Sequence, residues 1–294
     1  MPPNQPPHEQ PGGYGYQPAP EVCVRHRDRP TGLRCNRCNR PACRDCLREA
    51  SVGYHCVDCV AEGGRTQRYA TTVAGAEPSG RELVIPLLIA VNVAVFVVTV
   101  VQAGSLGRND TAELFQRWAL LPVAVADGDV WRLVTSGFLH FGPIHLALNM
   151  LVLWVIGRDL EAVLGRSRFL TVYLVALLGG SAAVFALERV DSLTAGASGA
   201  IYGLMGALLM VLLRLRRSPG PALFIIGINV VITFTVPGIS LYGHLGGLVF
   251  GTVTAAAMVY APRDRRAPVQ IGAAAALVAI AVAVVVLRYA QFAA

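Results

Sequence analysis

The chain has 294 residues, of which 54% are hydrophobic and only 15% charged, against about 25% charged in ordinary soluble domains. That deficit excludes a typical soluble enzyme and points to a polytopic membrane protein. The net charge of +7 does not mark a nucleic-acid binder, because the arginines gather between apolar segments, where the positive-inside rule accounts for them. All seven cysteines fall between Cys23 and Cys59, which argues against a disulfide-stapled ectodomain.

In chain order, residues 1–20 are rich in Pro, Gly and Gln and lack an apolar core, so a disordered tail and no signal peptide are expected. Residues 21–60 form a small Cys/His module, and residues 61–82 read as a polar linker. The module carries four pairs with two-residue spacers: Cys23 and His26, Cys35 and Cys38, Cys43 and Cys46, Cys56 and Cys59. Eight ligands suit two tetrahedral zinc ions, with His55 as an alternative ligand in the last pair. So short a module cannot bury an adequate core alone, and structural zinc supplies on the order of 10 kcal/mol or more per site. Closed four-ligand sites leave no open coordination position, so a structural or docking role is expected, including recruitment of a cytoplasmic partner. A redox-active thiol set is the alternative, for which a lone Cys-x-x-Cys would suffice. The spacing resembles B-box-type zinc fingers, and that resemblance implies interleaving of the first pair with the third and the second with the fourth.

Seven apolar spans follow, at roughly 83–103, 143–157, 168–187, 197–214, 221–236, 242–260 and 269–287. A crossing helix takes about 20 residues, so the second, fourth and fifth are near or below that range and suit helices ending in a polar cavity. Segment 104–142 mixes apolar stretches with Arg117, Trp118, Trp131 and Arg132, and reads as an interfacial, partly re-entrant element. Arg158, Arg166 and Arg168 follow the second span, Arg214, Arg216 and Arg217 the fourth, and Arg263, Arg265 and Arg266 the sixth. Alternate loops are therefore basic, which places the N-terminus in the cytoplasm and the C-terminus outside.

Polar side chains within apolar spans are costly and usually mark function. Ser198 is read inside the fourth span among Gly196, Ala197, Gly199, Ala200, Gly203 and Gly206, small residues that let helices approach closely. His244 shares a bare helical face with Gly247 and Gly251. His145 and Asn149 lie one helical turn apart, with His140 just before them. A hydroxyl nucleophile, a base that titrates near neutrality, and donors that include the Ser198 N–H are the parts of an acyl-transfer site. The bland alternatives are a packing helix whose serine bonds its own backbone and a structural histidine bonded to a carbonyl. No carboxylate lies near His244 in sequence. Glu188 and Asp191 read as solvent-facing loop residues, and Asn229 as an interhelical hydrogen-bonding group.

Trp131-Arg132, His140-Phe141-Gly142-Pro143-Ile144-His145-Leu146-Ala147-Leu148-Asn149, Gly196-Ala197-Ser198-Gly199 and His244-Leu245-Gly246-Gly247 together resemble the rhomboid family of intramembrane serine proteases, in the family's order. The resemblance covers about 83–260, and residues 264–294 resemble the extra C-terminal helix of seven-span forms. It implies an all-α polytopic fold: a six-helix core at 83–260, a basic loop and seventh helix at 261–294, and the Cys/His module as an added domain. It implies a two-member dyad, with Ser198 as nucleophile and His244 as general base. Asn149, His145 and the Ser198 N–H would face the oxyanion, Gly199 follows the serine, and Tyr202 packs beside the histidine. His140, His145 and Asn149 are expected to wet the pocket. The expected substrates are single-span membrane proteins cut near the outer membrane boundary, entering from the bilayer beside the fifth span, whose flanks are Pro221 and Pro237. No organic cofactor is expected, and zinc serves the module rather than catalysis. Two other readings are a metal or proton transporter lined by His140, His145, Asn149 and His244, and a silent membrane-protein binder. The first lacks an acidic membrane residue or paired ligands across spans, and intact Ser198 and His244 argue against the second.

Overall fold

A computed structural model describes residues 20–66, 71–77 and 82–293, and the chain divides into two units, Met1–Tyr69 and Ala70–Ala294. In the first unit, β1 (Leu47–Glu49) pairs antiparallel with β2 (Tyr54–Cys56), with Leu47 opposite Cys56, and α1 (Val57–Thr66) follows at once. Its buried cluster consists of six cysteines with Ala42 and Leu47, and Cys38 packs against it. A core made of thiols is not an oil droplet and needs something other than apolar burial to hold it. Helix α1 continues past residue 60, where the sequence had suggested the module ends. No proline interrupts it, and it keeps Cys59 buried.

In the second unit, α2 (Val84–Ala103) is a run of Val, Ile, Leu and Ala that stops at Gly104, whose φ of 63° gives the left-handed turn that closes many helices. Three short helices follow: α3 (Glu113–Trp118), α4 (Pro122–Ala126) and α5 (Arg132–Thr135). Then come α6 (Gly142–Leu164), α7 (Arg166–Leu187), α8 (Ser198–Arg214), α9 (Gly220–Thr235), α10 (Leu241–Tyr260) and α11 (Arg266–Ala293). By length and composition α2, α7, α10 and α11 suffice to cross a membrane. The stretch Arg132–Phe138 meets α6 at a 91° bend, as in a broken span or re-entrant loop, while α8 and α9 are shorter apolar helices.

Two spans depart from their sequence reading. The seventh, expected at 269–287, is 28 residues long as α11, and the second, expected at 143–157, is 23 residues long as α6. Arg158, Asp159 and Glu161 end the hydropathic signal but not the helix. The reason is Glu161, which is 1% exposed. Its carboxylate accepts the N–H groups of Leu83, Val84 and Ile85 at 2.8, 3.1 and 3.1 Å. Those groups open α2 and have no partner within their own helix. The supposed linker also packs: Ala74 is fully buried, and its carbonyl accepts from the Gln270 amide of α11 at 3.0 Å.

Segment 104–142 is compactly folded. Arg132, 7% exposed, donates to the carbonyls of Gln116 and Ala119 at 2.6 and 2.8 Å and to the Asp129 carboxylate at 2.9 Å. Ala112, Phe115, Ala119 and Leu139 form a small core beneath it. Asn109 ties this segment to α6: its amide donates to the His140 carbonyl at 2.8 Å, and its oxygen accepts the Gly142 N–H at 2.9 Å.

Glycine sets the spacing of the inner helices. A Cβ on Gly203 of α8 would stand 2.9 Å from the Gly247 carbonyl of α10, and one on Gly180 of α7 would stand 2.7 Å from the Gly243 carbonyl. Backbone therefore meets backbone along α7, α8 and α10, the close approach that small residues permit in membrane proteins.

Candidate active site and metal sites

Ser198 is the first residue of α8, not an interior one. Gly196, with φ of 139°, turns the incoming chain in a conformation that L side chains rarely adopt. The first N–H groups of the helix, that of Ser198 included, have no intrahelical acceptor and form its positive end. His244 lies in the first turn of α10, whose N-cap Ser240 accepts the Gly243 N–H at 3.1 Å. The glycine contacts between α8 and α10 bring these two helix starts together. Ser198 Oγ and His244 Nε2 are 2.8 Å apart, and His244 is 8% exposed. The Tyr202 ring stacks on the His244 ring at 4.0 Å between centroids and 18° between planes.

The other face of His244 meets a residue that sequence reasoning missed. Thr233 Oγ1 of α9 is 2.8 Å from His244 Nδ1, 2.7 Å from the Tyr202 hydroxyl and 2.8 Å from the Asn229 carbonyl. Asn229, read as interhelical glue, instead donates to the Ile225 carbonyl of its own helix at 2.9 Å. An asparagine amide reaches back one turn easily, so helix position alone did not require a partner helix.

His145 stands over the serine turn: a Cβ on Gly196 would lie 3.0 Å from its Nε2 and 3.6 Å from Ser198 Oγ. The Phe141 N–H donates to His145 Nδ1 at 3.3 Å, so a neutral His145 carries its proton on Nε2, the nitrogen beside Gly196. Asn149 gives one amide N–H to the His145 carbonyl at 3.0 Å, and that bond lies within α6. His140 is fully buried, 5.1 Å from the His145 ring, and neither of its ring nitrogens has a partner among the described residues.

A cavity of about 40 Å³ opens beside Ser198. Its polar lining comes from Ser136, Ser181, Thr194 and Ser240 together with Ser198 and His244, and not from His140, His145 or Asn149 as expected. The imidazoles pack on each other and on Gly196, which leaves hydroxyls to form the wall. The volume holds about three or four waters by the usual measure of about 10–15 Å³ each. Glu188 is also not a free loop carboxylate: it accepts the Ser240 hydroxyl at 3.0 Å and so reaches the cavity rim. Asp191 is exposed and pairs with Arg189.

In the first unit, Cys23, His26, Cys43 and Cys46 form one cluster, and Cys35, Cys38, Cys56 and Cys59 form another. The pairs interleave, and Cys56 rather than His55 points inward. Within each cluster all ligand atoms lie within 4.8 Å of one another. Cys38 and Cys56 sulfurs are 3.8 Å apart, and His26 Nδ1 is 3.3 Å from the sulfurs of Cys43 and Cys46. A disulfide needs about 2.05 Å, whereas tetrahedral metal–sulfur bonds of about 2.3 Å put sulfurs roughly 3.8 Å apart. Backbone N–H donors, that of Cys43 foremost, draw the Cys23 thiol down to about 6. Burial opposes ionisation of Cys35, but the N–H groups of Cys56, Cys38 and Arg37 bring it to about 6. Burial among neighbouring thiols pushes Cys46 up to about 11 and Cys59 up to about 12. The N–H donors thus favour thiolate and the crowding opposes it. A divalent cation resolves that conflict, so both clusters fit a metal ion.

The rhomboid domain family matches residues 127–261, a stretch that encloses Ser198, His244, Thr233, His145 and Asn149. Rhomboid protease GluP of Bacillus subtilis (strain 168) is 38% identical over 192 residues, which cover 64% of this chain and 37% of that protein. YdcA of the same bacterium, also named for the rhomboid family, is 34% identical over 134 residues, 44% of this chain and 67% of its own length. Rhomboid-type serine protease 2 of Emericella nidulans is 28% identical over 145 residues, 47% of this chain and 29% of that protein. The chain spans little more than a third of GluP's length. It covers two thirds of YdcA at an identity well above chance, and with its apolar helices and paired helix starts the chain belongs to the rhomboid family of multi-pass membrane proteins.

Proposed function

We propose that this protein is an intramembrane serine endopeptidase that works through a Ser198–His244 dyad. The observation that carries this reading is the 2.8 Å approach of Ser198 Oγ to His244 Nε2, between groups 46 residues apart in sequence and held on two glycine-seamed helices. The Ser198 proton passes to His244 Nε2 as Oγ bonds the scissile carbonyl carbon, and the carbonyl electron pair moves to oxygen. The Ser198 N–H, at the positive end of α8, and the His145 Nε2–H face the place where that charge develops, and Asn149 has a second amide N–H to offer. His244 then protonates the leaving amine, and water from the hydroxyl-lined cavity hydrolyses the acyl-enzyme.

The relatives' names, GluP's above all, support a peptidase. Substrates are membrane proteins with a single span, opened locally so that a carbonyl reaches Ser198. The small residues around the cavity, Gly137, Gly180 and Ala195 among them, favour a small side chain beside the cut. Entry lies beside α9, of which only Ala222 and Thr233 are buried. The basic loops support a cytoplasmic N-terminus, and Ser198 and His244, at the starts of α8 and α10 and away from those loops, support a cut near the outer boundary, as the family resemblance implies. Each Cys/His cluster holds one structural zinc ion, which fixes residues 21–66 as a platform for a cytoplasmic partner and takes no part in the cut. The decisive experiment is cleavage of a single-span reporter by the wild type and by Ser198→Ala in vesicles. Turnover by Ser198→Ala would sink the dyad.

A further inference from the structure

The Ser198–His244 pair works only in one tautomer of the histidine. A neutral imidazole carries one proton, and His244 acts as a base toward Ser198 only when that proton sits on Nδ1. No carboxylate touches His244 among the described residues. The group at Nδ1 is a hydroxyl, Thr233 Oγ1, at 2.8 Å.

A threonine hydroxyl has one proton to give and two lone pairs to receive with. Three groups surround Thr233 Oγ1: the Asn229 carbonyl at 2.8 Å, the Tyr202 hydroxyl at 2.7 Å and His244 Nδ1 at 2.8 Å. A carbonyl oxygen accepts and cannot donate, so the single Thr233 proton goes to Asn229. Tyr202 and His244 Nδ1 must then each donate to Thr233. The count closes with every proton and lone pair used, at a residue 7% exposed. We infer that Thr233 is a positioning residue of the catalytic site: it holds the His244 proton on Nδ1 and so keeps the Nε2 lone pair aimed at Ser198. The inference rests on the dyad reading above.

The same bond serves through the reaction. When the Ser198 proton arrives on Nε2, both ring nitrogens carry protons, and the Nδ1–H of the imidazolium still finds the Thr233 oxygen. When Nε2 passes its proton to the leaving amine, the Nδ1 tautomer is restored. The Tyr202 ring fixes the plane of the imidazole by stacking, but a stack does not choose between nitrogens. Thr233 does. It sits on α9, whose other residues, Ala222 excepted, are not buried, so the helix beside the site is joined to the catalytic base chiefly through this hydroxyl.

The test compares wild type, Thr233→Val, Thr233→Ser and Ser198→Ala in lipid vesicles. Three readouts are needed: reporter cleavage, Ser198 labelling by a small fluorophosphonate, and ring ¹⁵N spectra of histidine-labelled protein with His244 assigned by His244→Ala. Thr233→Val is expected to lower kcat and the labelling rate roughly 10- to 100-fold with little change in KM, the range that follows from losing one buried hydrogen-bond partner. Its His244 spectrum is expected to show a mixture of tautomers, where the wild type shows the Nδ1–H form. Thr233→Ser restores the hydroxyl and is expected to recover both rate and spectrum. Wild-type kcat in a folded Thr233→Val protein overturns the inference, as does a Thr233→Ser protein that is as slow as the valine variant. A loss of cleavage with full labelling also overturns it, because the defect is then in substrate entry. Ser198→Ala separates the two readings. If it still cleaves, the dyad fails. If it is dead while Thr233→Val is normal, only the role of Thr233 fails. The ring spectra answer even where activity is low.

Discussion

Gly247 of α10 lies directly against the carbonyl of Gly199 in α8, with no room between them for a Cβ. This contact is one residue from Ser198 and three from His244, so it sets the separation on which the proposed dyad depends. Gly247→Ala is expected to push the helices apart, with an overpacking cost of about 1–3 kcal/mol and a larger loss of activity than of stability. Gly272→Ala in α11, where nothing lies within 4 Å, is the control and is expected to be neutral. Thermal unfolding and reporter cleavage of the two variants check this. A fully active Gly247→Ala protein would show that the seam does not position the dyad.

Ser198→Ala and His244→Ala are each expected to abolish cleavage while the fold survives. Their combination is expected to cost little more than either alone, because members of one catalytic unit are strongly non-additive. Single-turnover rates on a detergent-solubilised reporter measure this. Additive losses would mean that the 2.8 Å contact does not act as a unit.

The two side chains proposed as oxyanion donors differ in their surroundings. Asn149→Ala and His145→Ala are each expected to reduce kcat more than they change KM, with roughly 2.7–4 kcal/mol as the upper scale for a lost oxyanion donor. His145→Ala is expected to be the more damaging, since it also removes the ring that covers Gly196. If Asn149→Ala left kcat unchanged, the single bond from Asn149 to the His145 carbonyl would be its whole role.

The parts of this molecule that were legible in the sequence are those written in local patterns. Apolar runs announced the long helices, small-residue spacing announced the seam, and Cys-x2-Cys spacing announced the two clusters. Ser198 and His244 stood out because a polar group among glycines in an apolar span is rare, while Tyr202 came only with the family resemblance. Thr233 did not, since a threonine in an apolar helix ordinarily bonds its own backbone one turn back, and it does that here as well. Its meeting with His244 needs the turn between α9 and α10. The cavity hydroxyls are drawn from segments as distant as Ser136 and Ser240, and no single window of sequence contains them. Ser198 was read inside its helix because hydropathy averages over the bend at Gly196. Glu161 had no signal in the sequence because its partners, the N–H groups that open α2, lie 76 to 78 residues upstream.

That carboxylate yields the next prediction. Glu161→Ala leaves three N–H groups at the start of α2 without their acceptor, of which that of Ile85 is buried and those of Leu83 and Val84 are part-buried and open to water. A loss of about 1–3 kcal/mol is expected, the cost of one buried unpaired donor and a lost cap, read as a fall in unfolding midpoint in steric-trap or denaturant experiments. Glu161→Gln keeps one acceptor oxygen and is expected to lie between alanine and wild type. An unchanged midpoint for Glu161→Ala would mean that α2 finds other acceptors and that the buried charge is not its cap.

The Cys/His unit gives the last prediction. Residues 1–70 are expected to bind two zinc ions and to unfold when a chelator removes them, because their buried core is almost entirely ligand sulfur and metal-binding free energy is then folding free energy. The dependence on pH follows from the thiols. Cys23 and Cys35 are lowered to about 6 in the folded unit, below the ordinary thiol value of about 8.5. Groups whose pKa falls on folding contribute stability that is complete above the ordinary value and is lost as pH falls through the folded one. Burial and crowding act the other way on Cys46 and Cys59, which stand at about 11 and about 12, but bound zinc holds every ligand cysteine as thiolate, so protons compete with the metal and its release is expected in acid and not in alkali. Metal analysis of the fragment, with circular dichroism through an acid titration and a chelator titration, measures both. One zinc per fragment would refute the two-site reading. Retention of structure after complete zinc removal would show that the thiol core stands without metal.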